Sequence, residues 1–384
     1  MAFLDHRPVF KGHVLVCPVL HVDTFTDLPA HLVAPLFIVV QSVPHLHVHV
    51  VPRTKGDGLR GFFWPRTRYA DGEAAEFAAR LREGSPPPPA RWTGSLADVR
   101  IATWNVNSAK QRMPRLLPWL EERRPDVVCL QETKLTDAGF DELFAGPLSD
   151  LGYAYAHHGL GGFNGVALLS RVGLDDVEHH FDGQPEYRGV TEARAVSATC
   201  DGVRIHSLYV PNGREVGSDH YAYKLDWFDA LAAAVAAGPA EVALCGDMNV
   251  APADADVFDP AAYLGHTHVT EPERQRLASF GLVDVVRARW PEQERVFSYW
   301  DYRAGMFHQD LGMRIDLVLA SQSVADRVKA AWIDRAARKG KLPSDHAPVI
   351  VDLDQAPDGD IGPVVPPPSN PKRSGKTRLP QSRE

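Results

Sequence analysis

Oxygen-bearing side chains recur at the ends of short apolar runs. Asn105 follows residues 99–104, Glu132 lies just past 127–130, Asp247 and Asn249 close the run 242–245, Asp316 sits inside 315–319, and the Asp345-His346 pair precedes 348–352. Carboxylate oxygens are hard ligands suited to Mg²⁺, and a divalent ion beside a phosphate activates water for attack. In Gly246-Asp247-Met248-Asn249, alternate side chains of an extended segment face the same way, so Asp247 can orient or deprotonate water while Asn249 holds a phosphate oxygen. Asp316 lies in Arg314-Ile315-Asp316-Leu317, where an unpaired carboxylate is costly to bury. His346 is a candidate partner, because a carboxylate accepting from imidazole fixes its tautomer and can keep it protonated. Singly, each has a plainer reading: Glu132 as a solvated strand-end charge, Asp-x-Asn as a self-capped turn, and Asp with His as a structural hydrogen bond.

Such groups act together only if the chain delivers them to one place. Each apolar run reads as a buried strand, and polar groups at strand ends can converge on one rim. Further strands are expected at 166–170, 193–200 and 203–210. Helices are expected at 221–237, where Leu225, Phe228, Leu231 and Val235 fall at helical spacing before Gly238, and at 112–123, despite Pro118. The alternation predicts an α/β layered domain. Gly84–Ala90 reads Gly-Ser-Pro-Pro-Pro-Pro-Ala, an extended spacer that continues neither helix nor central strand. The expected organisation is a segment at 1–84, a Pro-rich linker at 85–97, a catalytic domain at 98–355 and a disordered Pro-rich, basic tail at 356–384.

Bulk properties restrict the classes. A chain of 384 residues is too long for one ordinary core, which predicts two domains. Hydrophobic residues at 44% and charged residues at 23% are those of a soluble globular protein, and no apolar stretch reaches the ~18 residues of a membrane span. Four scattered cysteines suggest a reducing, cytoplasmic setting. The net charge of -8 argues against a nucleic-acid binder, but residues 98–355 carry 26 Lys+Arg against 38 Asp+Glu, so the acidity belongs to the metal-binding part. A local basic track can still steer DNA.

The order of the motifs changes the weight of each. Trp104-Asn105-Val106-Asn107, Gln131-Glu132-Thr133-Lys134, Tyr209-Val210-Pro211-Asn212-Gly213, Gly246-Asp247-Met248-Asn249, Arg314-Ile315-Asp316 and Ser344-Asp345-His346 closely resemble the exodeoxyribonuclease III and abasic-site endonuclease family over residues 98–354. The resemblance implies the endonuclease/exonuclease/phosphatase fold, a four-layer α/β sandwich with the site at one rim. It implies Mg²⁺, with Mn²⁺ as a substitute, held by Glu132 with Asn107 and Asp345 nearby. Asp247 would orient the attacking water, Asn105, Asn212, Asn249 and Tyr209 would hold the scissile phosphate, and Asp316 would pair with His346. The implied partner is double-stranded DNA with abasic sites or blocked 3′ ends, cut to a 3′-hydroxyl and a 5′-phosphate by abasic-site endonuclease, 3′→5′ exonuclease and 3′-phosphatase activities. Phe297-Ser298-Tyr299-Trp300-Asp301-Tyr302-Arg303 resembles the family segment that lines a pocket for a sugar lacking its base, so Tyr299, Trp300 and Met313 are expected there. Aromatic runs also simply pack cores.

At the amino-terminal end, Pro44-His45-Leu46-His47-Val48-His49 places His45, His47 and His49 on one strand face. With Phe3-Leu4-Asp5 and His21, the run resembles the histidine triad (HIT) nucleotide hydrolases. That implies His47 as nucleophile, His45, His49 and His21 as its supporters, Asp5 as a ribose contact and a nucleotide as partner. Between Leu28 and Gln41 there is room for little more than one short helix, so this α+β HIT-like segment is internally shortened. An active module and a truncated remnant both stay open. For the whole chain, the alternatives to a DNA-repair nuclease are a lipid or inositol-phosphate hydrolase of the same superfamily and a non-catalytic scaffold whose paired charges are structural.

Overall fold

The computed structural model describes residues 2–4, 14–16, 99–355 and 362–368, and the chain divides into two units, 1–91 and 92–384. In the first unit, β1 (Ala2–Leu4) pairs antiparallel with β2 (Val14–Val16), Phe3 opposite Leu15. Asp5, His21, His45, His47 and His49 lie outside the described residues.

The second unit is built on two sheets. One has seven strands: β3 (Val99–Asn105), β4 (Val127–Gln131), β5 (Ala154–His158), β6 (Val166–Ser170), β13 (Val328–Asp334), β14 (Val349–Leu353) and β15 (Val364–Val365), in the order β15-β13-β14-β3-β4-β6-β5. The other has six: β7 (Asp175–His179), β8 (Ala195–Cys200), β9 (Val203–Tyr209), β10 (Val242–Asp247), β11 (Val283–Asp284) and β12 (Asp316–Ala320), in the order β11-β12-β10-β9-β8-β7. Strands β4, β6, β10, β12 and β14 are buried along their whole length, as their mainly apolar runs require of central strands covered on both faces, with Asp352 inside β14 paired to Arg100.

Ile101, Cys129 and Val351 of one sheet meet Ile205, Cys245 and Val318 of the other in the core between them. Outside the seven-stranded sheet pack α1 (Ala109–Arg123) and α2 (Asp137–Asp150), through Leu116, Trp119 and Phe144. Outside the six-stranded sheet pack α3 (Asp219–Ala237) and α4 (Glu271–Ser279), through Trp227, Phe228 and Leu277. The result is the four-layer α/β sandwich that the motif order implied.

Two local expectations change. Helix α1 begins three residues before the expected start and carries both Pro114 and Pro118. Its apolar face, with the Ser108 hydroxyl accepting from the Gln111 N–H at 3.4 Å, outweighs the ladder bonds those prolines remove. Val364–Val365, placed in the expected disordered tail, instead joins the seven-stranded sheet as an edge strand parallel to β13, with Val364 buried. A Val pair suits a pleated edge, and the flanking prolines are tolerated there.

Candidate active site

The strand directions gather the site. β3 and β4 run parallel with Asn105 opposite Gln131, and β14 runs antiparallel to β3, so the segment entering β14 starts where β3 ends. In the other sheet, Asp247 lies opposite Tyr209 on parallel β9 and opposite Asp316 on antiparallel β12. Asn105, Glu132, Tyr209, Asp247, Asp316 and His346 therefore reach one rim of the sandwich. Any Cβ on Gly246 would lie 1.9 Å from the Leu208 carbonyl oxygen, so the residue before Asp247 must be glycine for β10 to lie this close to β9.

Asn105, fully buried, is the hub: its Nδ2 donates to Glu132 Oε1 at 2.9 Å and to Asp247 Oδ2 at 3.0 Å, while its Oδ1 accepts from the Asn107 N–H at 3.0 Å. His346 Nδ1 meets Asp316 Oδ2 at 2.8 Å and its Nε2 stands 3.8 Å from Asp247 Oδ2. Ser298 Oγ donates to the same Asp316 oxygen at 2.6 Å, and Ser344 Oγ, accepting from the His346 N–H at 3.2 Å, donates to the Asn105 carbonyl at 2.6 Å. The expected Asp316–His346 pair thus forms, within a connected network.

Backbone conformation points the same way. Glu132, Asn107 and Asn249 adopt left-handed φ of 52°, 44° and 50°. For non-glycine residues this costs on the order of 1–3 kcal/mol each, and such strain gathers at functional sites.

The electrostatics follow from burial among like and unlike charges. Burial alone would depress the His346 imidazole, but Asp316, Asp247 and Asp345 raise it to about 10, so it is a cation at neutral pH. Burial lifts the Asp247 carboxyl to about 7, with His346 opposing and Asp316 and Glu132 adding. Glu132 is held below its usual range because Lys134 and the Asn105 amide outweigh its desolvation. Tyr209, pushed well up by burial and by the facing Glu132 carboxylate, keeps its proton and can only donate to an anion.

Asn249 donates from Nδ2 to the Val210 carbonyl at 2.9 Å, and its backbone N–H donates to Asp247 Oδ1 at 2.9 Å. Asn212 Nδ2 donates to Asn249 Oδ1 at 3.2 Å. Asn107 Nδ2 donates to Asp345 Oδ1 at 3.0 Å, and Lys134 Nζ joins Asn107 Oδ1 at 2.6 Å with Glu132 Oε2 at 3.0 Å. The residues fit a hard divalent cation. Glu132 and Asp247 each offer a carboxylate oxygen, and these lie within 4.8 Å of each other and of a His346 ring nitrogen, whose proton keeps it from ligating, with the Asp345 carboxylate tied in through Asn107. Glu132 is common to this trio and to the expected set of Glu132, Asn107 and Asp345, and of the trio only the two carboxylates are hard donors.

Tyr299 lies with its ring 4.8 Å from that of His346, and Met313 and Ile315 join it in a small apolar cluster beside the site. Trp300 is not brought there. It is 1% exposed, packs between the sheets and donates from Nε1 to Asp310 Oδ1 at 3.2 Å. Neighbours on an extended segment face opposite ways, so a site-facing Tyr299 turns Trp300 into the core.

Several partners were not singled out from the sequence. Lys134, Ser298 and Ser344 lay inside the quoted motifs as bystanders. His268, Lys224 and Glu273 had no local signal. His268 Nε2 lies 3.0 Å from Asn249 Oδ1 and 3.1 Å from Asn212 Nδ2, and burial with Lys224 nearby lowers it to about 3, so it is neutral. Lys224 Nζ, buried, donates to the carbonyls of Asn212 at 3.2 Å and Asn249 at 2.7 Å, to Thr267 Oγ1 at 3.2 Å and to Glu273 Oε1 at 2.5 Å.

Comparison with known proteins agrees with this geometry. Residues 102–346 match the model of the Endonuclease/Exonuclease/phosphatase family. An exodeoxyribonuclease of Bacillus subtilis is 29% identical over 267 residues, 65% of this chain and 98% of that protein. A 3′ phosphatase from Neisseria, solved bound to a product DNA hairpin, is 35% identical with a TM-score of 0.63, covering 67% of this chain and 100% of its own. An AP endonuclease from Archaeoglobus fulgidus is 34% identical with a TM-score of 0.63 and the same coverage. With this sandwich, this rim and matches that span the whole described site, the chain belongs to the endonuclease/exonuclease/phosphatase family.

Proposed function

We propose that the chain is a Mg²⁺-dependent DNA-repair phosphodiesterase that cleaves duplex DNA at abasic sites and trims or dephosphorylates 3′ ends. The observation that carries this reading is the Asn105 amide joining Glu132 to Asp247, with the Asp316-held His346 cation 3.8 Å from Asp247. This is an acid–base and anion-stabilising set gathered within a few ångströms, in a family whose named relatives act on DNA.

Asp247 takes or orients a proton of the attacking water, a role suited to a carboxyl raised to about 7. The water oxygen bonds to phosphorus, the P–O3′ bond breaks, and the leaving oxygen gains a proton to become the 3′-hydroxyl, with the phosphate left on the 5′ side. Charge developing on the phosphoryl oxygens faces the His346 cation, the Tyr209 hydroxyl and the amides of Asn212 and Asn249, all fixed before the reaction. Glu132, with Asp345, would hold Mg²⁺, which neutralises phosphate charge when bound. Tyr299 and Met313 offer an apolar wall for a sugar lacking its base.

The deciding assay is cleavage of a duplex carrying one abasic analogue, set against a soluble inositol phosphate as competitor. Product that forms equally well in EDTA, or that survives Glu132→Ala and Asp247→Ala, would refute this mechanism. Preferential turnover of the inositol phosphate would favour the lipid and inositol-phosphate branch of the family. Among the described residues no helix is long and apolar enough to cross a membrane.

A further inference from the structure

A second basic feature lies next to the rim and takes no part in the chemistry above. A cavity of about 460 Å³ has Arg335, Arg338, Lys339, Phe307, Tyr302 and Asp301 in its lining. Arg335 and Arg338 are 6% and 5% exposed, yet among the described residues neither has a carboxylate within ion-pair distance. The acids nearby are engaged elsewhere: Asp310 with Arg295, and Asp301 with Arg303. Both guanidinium carbons lie over the Phe307 ring, 4.3 and 4.7 Å from its centroid, so two like charges share one aromatic platform. The Nε atoms of both arginines are buried without a hydrogen-bond partner. Burial lowers both groups; Asp310 opposes it at Arg335, and Asp345, Tyr302 and Tyr299 oppose it at Arg338, where the neighbouring Arg335 adds to the lowering.

Two uncompensated buried cations side by side are costly unless an anion joins them. The cavity also adjoins the reaction centre through the backbone. Arg338 donates from Nη2 to the Trp300 carbonyl at 3.0 Å and from Nη1 to the Ser344 carbonyl, the residues next to Tyr299 and Asp345. The Tyr302 hydroxyl donates to the Pro343 carbonyl at 2.9 Å, closing the same two loops.

We propose that this cavity is a second phosphate subsite, in which Arg335, Arg338 and Lys339 receive a backbone phosphate of the DNA strand flanking the one held at Asp247 and His346. The subsite deepens the nuclease reading and rests on it. In a domain that carries more acid than base, it supplies local positive charge where a strand leaves the catalytic rim. Guanidinium forks suit the oxygens of a phosphate, and the exposed Lys339 adds a point charge at the lip.

The test is binding of a labelled duplex to the full chain in EDTA, where cleavage is not needed, as a function of salt. Each phosphate contact contributes about 0.9 to the slope of log affinity against log salt. Arg335→Gln and Lys339→Gln should each lower the slope by roughly that amount, close to an eightfold loss of affinity at about 0.1 M salt, whereas Arg335→Lys should keep most of the slope. Lys339 is exposed, so its variant decides the matter if Arg335→Gln fails to fold. Unchanged slopes in both Gln variants overturn the subsite. So does the opposite pattern, in which millimolar inorganic phosphate raises the melting temperature of the wild type but not of Arg335→Gln while DNA slopes stay equal, since that marks a site for free anions. A wild-type chain that binds DNA with a steep, variant-sensitive slope but never cleaves it would sink the nuclease reading and leave the subsite standing.

Discussion

Lys224→Met tests how the phosphate-holding loops are fixed. Lys224 and Glu273 are both fully buried, and the ammonium ties together the backbone at Asn212 and Asn249. Around it, Glu273 Oε1 also accepts from Thr267 Oγ1 at 2.5 Å and from the His268 N–H at 3.0 Å, while Oε2 accepts from the Thr270 N–H at 3.0 Å. The two partners respond oppositely to burial. Desolvation wins at Lys224 and lowers its ammonium despite Glu273, whereas at Glu273 the Lys224 charge overcomes desolvation and holds the carboxyl at about 2. The pair is therefore formed at neutral pH, but its net worth is small beside the cost of breaking it. Removing one partner of a buried pair costs about 3–5 kcal/mol. At roughly 2–4 °C per kcal/mol for a domain of this size, Lys224→Met should lower the melting temperature by about 6–20 °C. Lys224→Met/Glu273→Met, which removes both charges, should regain part of that loss. Activity should not return with it, because the Asn212 and Asn249 carbonyls still lack their common donor, and a misplacement near 1 Å can cost about 10²-fold. Melting curves and kcat/KM on an abasic duplex, assayed well below each melting temperature, separate the two effects. A single variant that melts within about 2 °C of wild type, or a double variant with wild-type kcat/KM, would refute the reasoning.

Other consequences are open to direct measurement. Asp316→Asn removes the carboxylate that does most to raise His346, so histidine-resolved NMR and the pH–rate profile should show the cation lost as pH rises past about 7, near the unperturbed value, whereas the wild type keeps it towards about 10. Asp247 at about 7 is partly protonated at neutral pH, so metal binding at pH 7 should release up to roughly half a proton; calorimetry giving the same heat in buffers of different ionisation enthalpy would count against this. Glu273 is depressed when folded, so its stabilising contribution is full above about 4.3, fades as pH falls and is gone below about 2; acid titrations of wild type and Glu273→Gln should converge over that window. Gly246→Ala places a Cβ against the Leu208 carbonyl, so β9 and β10 must separate beneath Asp247. That variant should lose well over tenfold in kcat/KM or fail to fold, and near-wild-type turnover would show that the two strands yield.

Much of the framework was legible along the chain. Runs such as 127–130 and 242–245 are apolar enough to be central strands and nothing else, and the polar residue that follows each has to emerge at an end. The motifs were therefore readable as strand-end chemistry, and their order pointed to one family. Local sequence carried no signal for groups recruited from far away. His268 and Lys224 reach Asn249 only because β10 and the loops beyond β9 and α3 are brought side by side, and Ser298 reaches Asp316 although the two stand 18 positions apart in the chain. Trp300 shows the limit from the other side: the family resemblance put it in the pocket beside Tyr299, and strand alternation turned it into the core.

The sequence by itself determined which residues are able to hold a metal, move a proton or grip a phosphate, and that they stand at strand ends, because residue type and apolar periodicity are local properties. The tertiary structure alone decided which of them meet: that Asn105 bridges Glu132 and Asp247, that His346 becomes a buried cation between Asp316 and Asp247, and that two arginines with no carboxylate partner among the described residues share the Phe307 ring. Charge state and proximity depend on burial and on neighbours distant in the chain, and only the packing of the two sheets sets those.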